Sequence, residues 1–285
     1  MGKLALKTKF VLIFSKILRA FILTGLCFVI LLPIFKMFSD SINGGKPYDI
    51  YFFIPTKITF RGYISIFRRY FNNFLLGNTL IFSITCAVIQ TLICAISGFA
   101  FSQLKFIGYK IIMVLYFLPL VLIRESMYIQ YKALYNYMPL FGINFFHNKY
   151  SVYILYLFGA GIKTPIFIYL FKICFDRIDY ELIEQSRVDG CGVVRTFFRV
   201  CFPLAKDAIV PTLFLTFIWE YNDYYYPQYF GFSYDNFNVI SFEFATGRMP
   251  STLNNNAIAM LFPVLIIYVI LEKTLFNAIA KDVTY

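Results

Sequence analysis

Six stretches of mostly apolar residues, each close to the length that crosses a bilayer, divide this chain of 285 residues. A membrane-spanning helix needs ~20 predominantly apolar residues, because the hydrocarbon core is ~30 Å thick. Only 14% of the residues are charged, against about 25% in ordinary soluble domains. The sequence therefore predicts an all-α, polytopic transmembrane helical bundle with six spans: Ile17–Phe35, Asn78–Phe101, Ile107–Leu122, Ser151–Phe171, Ala208–Phe230 and Ala257–Phe276.

Lysines and arginines lie mostly between these apolar blocks, and the net charge of the chain is +11. Nucleic-acid binding would need a basic stripe on a folded face, so lipid headgroups are the expected anionic neighbours. Six spans place both termini on one side, and the distribution of Lys and Arg predicts that this side is the cytoplasm. We expect a cytoplasmic segment at residues 1–16, a transmembrane domain at 17–285, and a cytoplasmic loop at 173–206. The lysines and arginines between 46 and 69 fall in the predicted first outer loop and favour the opposite orientation.

The cytoplasmic loop predicts a helix, a glycine and a second helix. Asp179 can accept hydrogen bonds from the first backbone N–H groups of a helix over 180–189. Gly190 stands where a left-handed residue would end that helix. A second helix is expected over 193–200, with Phe202-Pro203-Leu204 breaking it before the fifth span. A solvated charged loop is the alternative interpretation of the same residues.

Two segments, Glu184–Gly190 in the cytoplasmic loop and Phe217–Pro227 in the fifth span, resemble motifs of ABC-importer permeases for carbohydrates. The first resembles the EAA motif, whose sugar-importer version reads Glu-Glu-Ala-Ala-Arg-Ile-Asp-Gly-Ala and is followed by an apolar residue, Leu and Pro. Here Glu184, Arg187, Asp189 and Gly190 match it, Gln185 and Ser186 replace the two alanines, and Pro203 follows Gly190 by thirteen residues. The second motif, in the fifth span, resembles the family's Trp-Asn-Asp-aromatic-aromatic-Pro stretch and runs from Phe217 to Pro227.

The resemblance covers nearly the whole chain and is greatest to the maltose-type second permease, which lacks a large periplasmic insertion. It implies a multi-pass protein of the bacterial cytoplasmic membrane that pairs with a second, homologous permease. It also implies two ATPase subunits and an extracytoplasmic binding protein as partners. ATP and magnesium would bind to the ATPase, with no cofactor and no metal in this chain. The residues that would couple the permease to the ATPase are Glu184, Gln185, Ser186, Arg187, Asp189, Gly190 and Pro203.

Polar side chains inside apolar spans are candidates for the solute path, because a membrane makes them costly. Gln90, Lys163 and Glu220 are of this kind. In the fifth span, aromatic rings beside an amide and a carboxylate suit a sugar, whose hydroxyls form hydrogen bonds and whose C–H face stacks on rings. An interfacial belt of Tyr and Trp explains the aromatic residues equally well. The candidate path residues are Trp219, Asn222, Asp223 and Tyr224.

Other functions remain as alternatives. An ABC permease for a non-sugar solute fits the same loop, whereas a proton-coupled carrier would be expected to have repeated halves and broken spans. A phosphate-binding loop needs Gly, four residues and Gly-Lys-Ser/Thr. Gly2-Lys3 and Gly45-Lys46 do not have this surrounding pattern. With no catalytic constellation and a single histidine, His147, the chain is not expected to be an enzyme on its own.

Overall fold

A computed structural model of the protein describes residues 2–44, 54–55, 57–72, 74–103, 107–122, 124–137, 149–161, 163–223, 225–226, 230 and 250–280. Over these residues the chain is helical, and the one extended pairing among them joins Asn43 to Ile58. The helices are α1 (Gly2–Ile42), α2 (Arg61–Asn72), α3 (Leu75–Gln103), α4 (Tyr109–Val121), α5 (Arg124–Tyr137), α6 (Lys149–Leu157), α7 (Thr164–Asp176), α8 (Tyr180–Val188), α9 (Val193–Leu204), α10 (Lys206–Tyr221) and α11 (Pro250–Ala280).

Three helices of the described chain are long and apolar enough to cross a membrane. They cover Ile13–Ile42, Leu75–Gln103 and Asn254–Phe276, and α9 with α10 gives a fourth if that bent pair counts as one span. The predicted third span corresponds to α4, which has 13 residues and contains Pro119. The protein is thus a membrane protein whose described residues are mostly helical, and fewer than six helices among those residues pass this test.

The predicted fourth span over Ser151–Phe171 is interrupted, because α6 and α7 are separate helices. Helix α6 ends in a Schellman motif, in which Gly159 N–H bonds Tyr156 O at 3.0 Å and Ala160 N–H bonds Leu155 O at 2.9 Å. Gly159 supplies the left-handed turn with φ 76°. Pro165 then sits in the first turn of α7, where its missing N–H costs nothing.

The boundary between α9 and the fifth span also differs from the prediction. The helix does not end at Val200 but continues through Phe202-Pro203-Leu204, and the chain turns by 81° at Ala205. Residues Phe197–Cys201 form a π-helical turn, closed by Phe202 N–H on Phe197 O. This wider turn accommodates Pro203, whose ring would clash with the preceding carbonyl in a regular helix. Helix α10 ends at Tyr221, short of the predicted Phe230.

The chain divides into two compact units, and residues 1–68 with 248–262 form the first. Within it, the end of α1 is tied to α2 and to the beginning of α11 by side chains. The Ser41 and Tyr63 hydroxyls are 2.7 Å apart, and Asn255 Nδ2 donates to Ser41 O at 2.9 Å. The apolar side chains of α1 from Ile13 to Phe35 are mostly exposed, as expected of a helix whose sides face lipid.

The second unit comprises residues 69–247 with 263–285 and is organised around α3. Helices α6, α7 and α10 pack against it. Thr79, Ser83 and Thr91 turn their hydroxyls onto carbonyls of their own helix at 2.7–2.8 Å, which satisfies these polar groups without water. Small residues line the contact with α7, and at Gly98 an added Cβ would lie 2.9 Å from the backbone nitrogen of Lys172.

Replacement of Gly98 by Ala should destabilise the second unit, because α7 would have to move away from α3. Overpacking of this kind costs ~1–3 kcal/mol. The apparent Tm of the detergent-solubilised protein should fall. Gly25→Ala is the matched control, since an added Cβ at Gly25 of α1 meets no atom within 4 Å. An equal Tm for G98A and G25A would show that the backbones do not approach this closely.

Candidate functional site

Helix α8 packs one face against the rest of the second unit, and its opposite face is exposed. Ile183 and Ser186 are buried, three residues apart, so they share a side of the helix. Ile183 belongs to the same apolar cluster as Phe175 of α7 and Phe197 of α9. The site residues that point outward from α8 and its end are Glu184, Gln185, Arg187, Asp189 and Gly190, together with Glu181.

The end of α8 has the geometry predicted for Gly190. Its φ is 78°, and Gly190 N–H bonds Arg187 O at 3.0 Å while Cys191 N–H bonds Ser186 O at 2.9 Å. This is a Schellman motif, which favours glycine at the left-handed position. An added Cβ there meets no atom within 4 Å, so the requirement for glycine is conformational and not steric crowding. Asp179 occupies the N-cap position as expected, without a side-chain hydrogen bond to the helix.

A hydroxyl pair joins the two limbs of this elbow, which comprises α8, Gly190 and α9. Ser186 Oγ donates to Ile183 O at 2.8 Å and lies 3.0 Å from Thr196 Oγ1. Because the single Ser186 proton goes to that carbonyl, the Thr196 hydroxyl is the donor between the two side chains. Both residues are buried. Ser186, which replaces an alanine of the EAA motif, therefore has a hydrogen-bond partner in Thr196.

Trp219 of α10 lies beside the break between α6 and α7. Its ring packs on Phe167 with centroids 5.5 Å apart, and the Lys163 ammonium lies 4.0 Å from the centre of the indole. A cation over an indole ring is attracted by ~0.5–2 kcal/mol, depending on its exposure. Lys163 of the predicted fourth span and Trp219 of the predicted fifth span are thus in contact.

Asn222 and Asp223 make local contacts at the end of α10. Asn222 is exposed, and its Nδ2 donates to Ile218 O at 2.9 Å within the last turn of the helix. Asp223 is buried, and its Oδ2 accepts from Tyr226 N–H at 2.9 Å. These bonds give both side chains a capping role in the fold. Tyr224, the fourth path candidate, lies outside the described residues.

Two further polar groups are fully buried between the helices of the second unit. Glu220 accepts a hydrogen bond from the Tyr156 hydroxyl, and the ring of Tyr156 contacts that of Tyr226 at 5.9 Å. Gln90 Nε2 of α3 donates to Thr164 Oγ1 at 3.2 Å. The first contact joins α6 to α10, and the second joins α3 to α7. In the sequence, Glu220 and Gln90 stood out only as single polar residues within apolar spans.

Thr196, Tyr156 and Thr164 were not singled out in the sequence, although each bonds a residue that was. Their signals are weak, because hydroxyl side chains are common in membrane helices and long-range partners cannot be read from spacing. The break before α7 had a clearer local signal in Gly159, Gly161 and Pro165.

Removal of one hydroxyl from the elbow should cost more than removal of both. Thr196→Val leaves Ser186 without its donor, and Ser186→Ala leaves a buried Thr196 hydroxyl without its acceptor. An unsatisfied buried polar group costs ~1–3 kcal/mol. The double variant S186A/T196V should therefore recover part of the Tm lost in each single variant. Thr274→Val, at an exposed threonine of α11, is the control, and strictly additive effects of the two elbow substitutions would contradict the pairing.

Known permease proteins are similar to this chain over most of its length. No protein-family model matches the chain. The inner membrane ABC transporter permease protein YcjP of Escherichia coli is 25% identical over 86% of this chain and 88% of its own length. The galactooligosaccharides transport system permease protein GanQ of Bacillus subtilis is 25% identical over 96% of this chain and 95% of its own.

A solved structure shares the fold. It is a bacterial ABC transporter involved in the import of the acidic polysaccharide alginate, and one of its chains aligns with a TM-score of 0.71. The alignment covers 90% of this chain and 95% of that chain at 19% identity. The resemblance predicted from the elbow and the fifth span is confirmed: the relatives of this chain are permease subunits of sugar ABC transporters.

Proposed function

We propose that this chain is a permease subunit of an ATP-binding-cassette importer for a sugar or oligosaccharide. The observation that carries the proposal is the elbow α8–Gly190–α9, whose charged outer face stands free while its inner face is fixed to the helical core. The similarity over most of the length of carbohydrate permeases supports the same function. A second permease would complete the path, and an extracytoplasmic binding protein would deliver the solute.

The proposed topology keeps six crossings, with both termini and the elbow in the cytoplasm. Helices α1, α3, α10 and α11 supply four of them. The short α4 would be the third crossing, and α6 with α7 would together form a broken fourth crossing. A break is tolerated at membrane depth where protein surrounds it, and the buried contacts of Tyr156 and Thr164 provide such surroundings.

In this proposal the elbow transmits movement between the ATPase and the spans. A short helix with a rigid end passes on a rotation that a flexible loop would absorb. Glu184, Gln185, Arg187 and Asp189 present the surface that would fit a cleft on the ATPase, which holds ATP and magnesium. The buried Ile183 and the hydroxyl pair would carry the movement into α7 and α9.

A sugar is the favoured class of solute, because the relative GanQ, which aligns over nearly the whole chain, is named for a galactooligosaccharides transport system. A non-sugar ABC permease shares every feature of the elbow, so the elbow does not distinguish the two. A proton-coupled carrier would function without an ATPase. Co-purification with an ATPase subunit therefore separates the leading proposal from the carrier.

Replacement of Gly190 by Pro should uncouple transport while leaving the chain inserted. Proline cannot adopt φ 78°, and it lacks the N–H that bonds Arg187 O, so the Schellman motif is lost. We expect ATP-driven sugar uptake in proteoliposomes to fall by at least about tenfold, which corresponds to ~1.4 kcal/mol.

Gly192→Pro is the matched control, since Gly192 is two residues away and its φ of −68° is the value that proline prefers. Uptake in this variant should stay close to that of the unchanged protein. Both variants should reach the membrane in equal amounts and be compared with the partner subunits present. Normal ATP-driven uptake by G190P would remove the basis for the coupling role.

A further inference from the structure

A cavity opens at the break between α6 and α7, and we refer to it as the span-four cavity. Its volume is about 240 Å³, a little below the ~300 Å³ at which small-molecule pockets usually begin. It therefore suits one sugar unit better than a long chain. The lining side chains are mainly apolar and aromatic, with one charged group among them: Pro119, Leu120, Leu122, Met127, Tyr131, Ala160, Gly161, Lys163, Pro165 and Tyr226.

Lys163 is the charged group, and the chain around it fixes its position. It is the residue before α7 and has φ 53°, in the left-handed region. For a residue with a Cβ this conformation costs roughly 1–2 kcal/mol. Such strain persists only where the surroundings impose it. Here the Gly159 turn precedes the residue and Pro165 follows it, while the Thr164 hydroxyl bonds Gly161 O at 2.8 Å.

The ammonium of Lys163 has an aromatic neighbour but no carboxylate among the described residues. Ion pairs within the described chain join Lys36 to Asp40 and Lys172 to Asp176. Glu220 accepts from the Tyr156 hydroxyl, and Asp223 accepts from Tyr226 N–H. An intramembrane lysine is costly, and its usual stabilisation is an anionic partner.

Two tyrosine rings complete the lining. The Tyr226 hydroxyl donates to Ala160 O at 3.1 Å, which holds its ring at the wall of the cavity. Tyr131 of α5 is partly buried, and burial raises the pKa of its hydroxyl above the ordinary value, so the group stays neutral. Among its described lining residues the cavity thus combines aromatic rings, phenolic hydroxyls and one positive charge.

We propose that the span-four cavity is a subsite for one sugar unit carrying a carboxylate, with Lys163 as its counter-ion. Among the described lining residues there is one ammonium, which matches the single charge of a uronic acid. The rings of Tyr131 and Tyr226 would contact the C–H face of the sugar. This inference rests on the proposed function and narrows its solute to an acidic carbohydrate.

The test compares two trisaccharides of equal length, maltotriose and trigalacturonate. Their equilibrium binding is measured on the assembled permease–ATPase complex in nanodiscs, without the binding protein, so that its selectivity does not contribute. The variants are K163Q, K163R and the control K172Q, whose lysine pairs with Asp176 away from the cavity. ATP-driven uptake of both sugars by the unchanged complex, with the binding protein added, tests the proposed function separately.

We expect trigalacturonate to bind the unchanged complex more tightly than maltotriose, with the difference shrinking as salt is added. K163Q should weaken trigalacturonate binding by roughly tenfold to a hundredfold, the range for a lost charge-assisted hydrogen bond. Maltotriose binding should change little. K163R should retain most of the affinity for trigalacturonate, and K172Q should behave as the unchanged protein does.

Three results would overturn the inference while leaving the proposed function intact. One is an unchanged complex that takes up maltotriose with ATP but does not prefer trigalacturonate. Another is an equal loss of both sugars in K163Q. The third is a K163Q complex that loses its partner permease while K163R keeps it, because the lysine would then pair with an acid of that partner. Absence of ATP-driven uptake of either sugar would instead count against the proposed function.

Discussion

A backbone polar group inside a membrane has no water to bond, so it must find a partner within the protein. At the break between α6 and α7, four backbone groups of Gly159–Gly161 are satisfied by hydrogen bonds within the protein. The N–H groups of Gly159 and Ala160 return to the end of α6. The carbonyls of Ala160 and Gly161 accept from the hydroxyls of Tyr226 and Thr164. These bonds join α6, α7 and the end of the fifth predicted span, and both the cavity and the position of Lys163 depend on them.

The elbow uses the same backbone turn in a different setting. Gly190, like Gly159, ends a helix with a left-handed residue and two backward hydrogen bonds. Its outer side is open, so side chains of α8 project freely, while Ser186 and Thr196 hold the inner side together. The same motif therefore ends one helix at the break between α6 and α7 and another at the exposed elbow.

Several features followed from the sequence, because each rests on local chemistry. Apolar blocks of fixed length located the main helices, and the position of Gly190 gave the end of α8. The interruption of the fourth span was missed because hydrophobicity averages over the weaker signal of two glycines and a proline. The hydroxyl pair and the Tyr156–Glu220 contact could not be found, since each joins residues whose proximity arises only from packing. Asn222 and Asp223 make helix-cap contacts that the sequence did not predict, and their role in the solute path stays a prediction.

Trp219 has one more consequence. It is the single tryptophan of the chain, and it sits on α10 while the ammonium 4.0 Å from its ring comes from the residue before α7. Indole emission shifts when a nearby charge moves. The wavelength of Trp219 emission should therefore report changes in the distance between the fourth and fifth predicted spans of this chain without an added label.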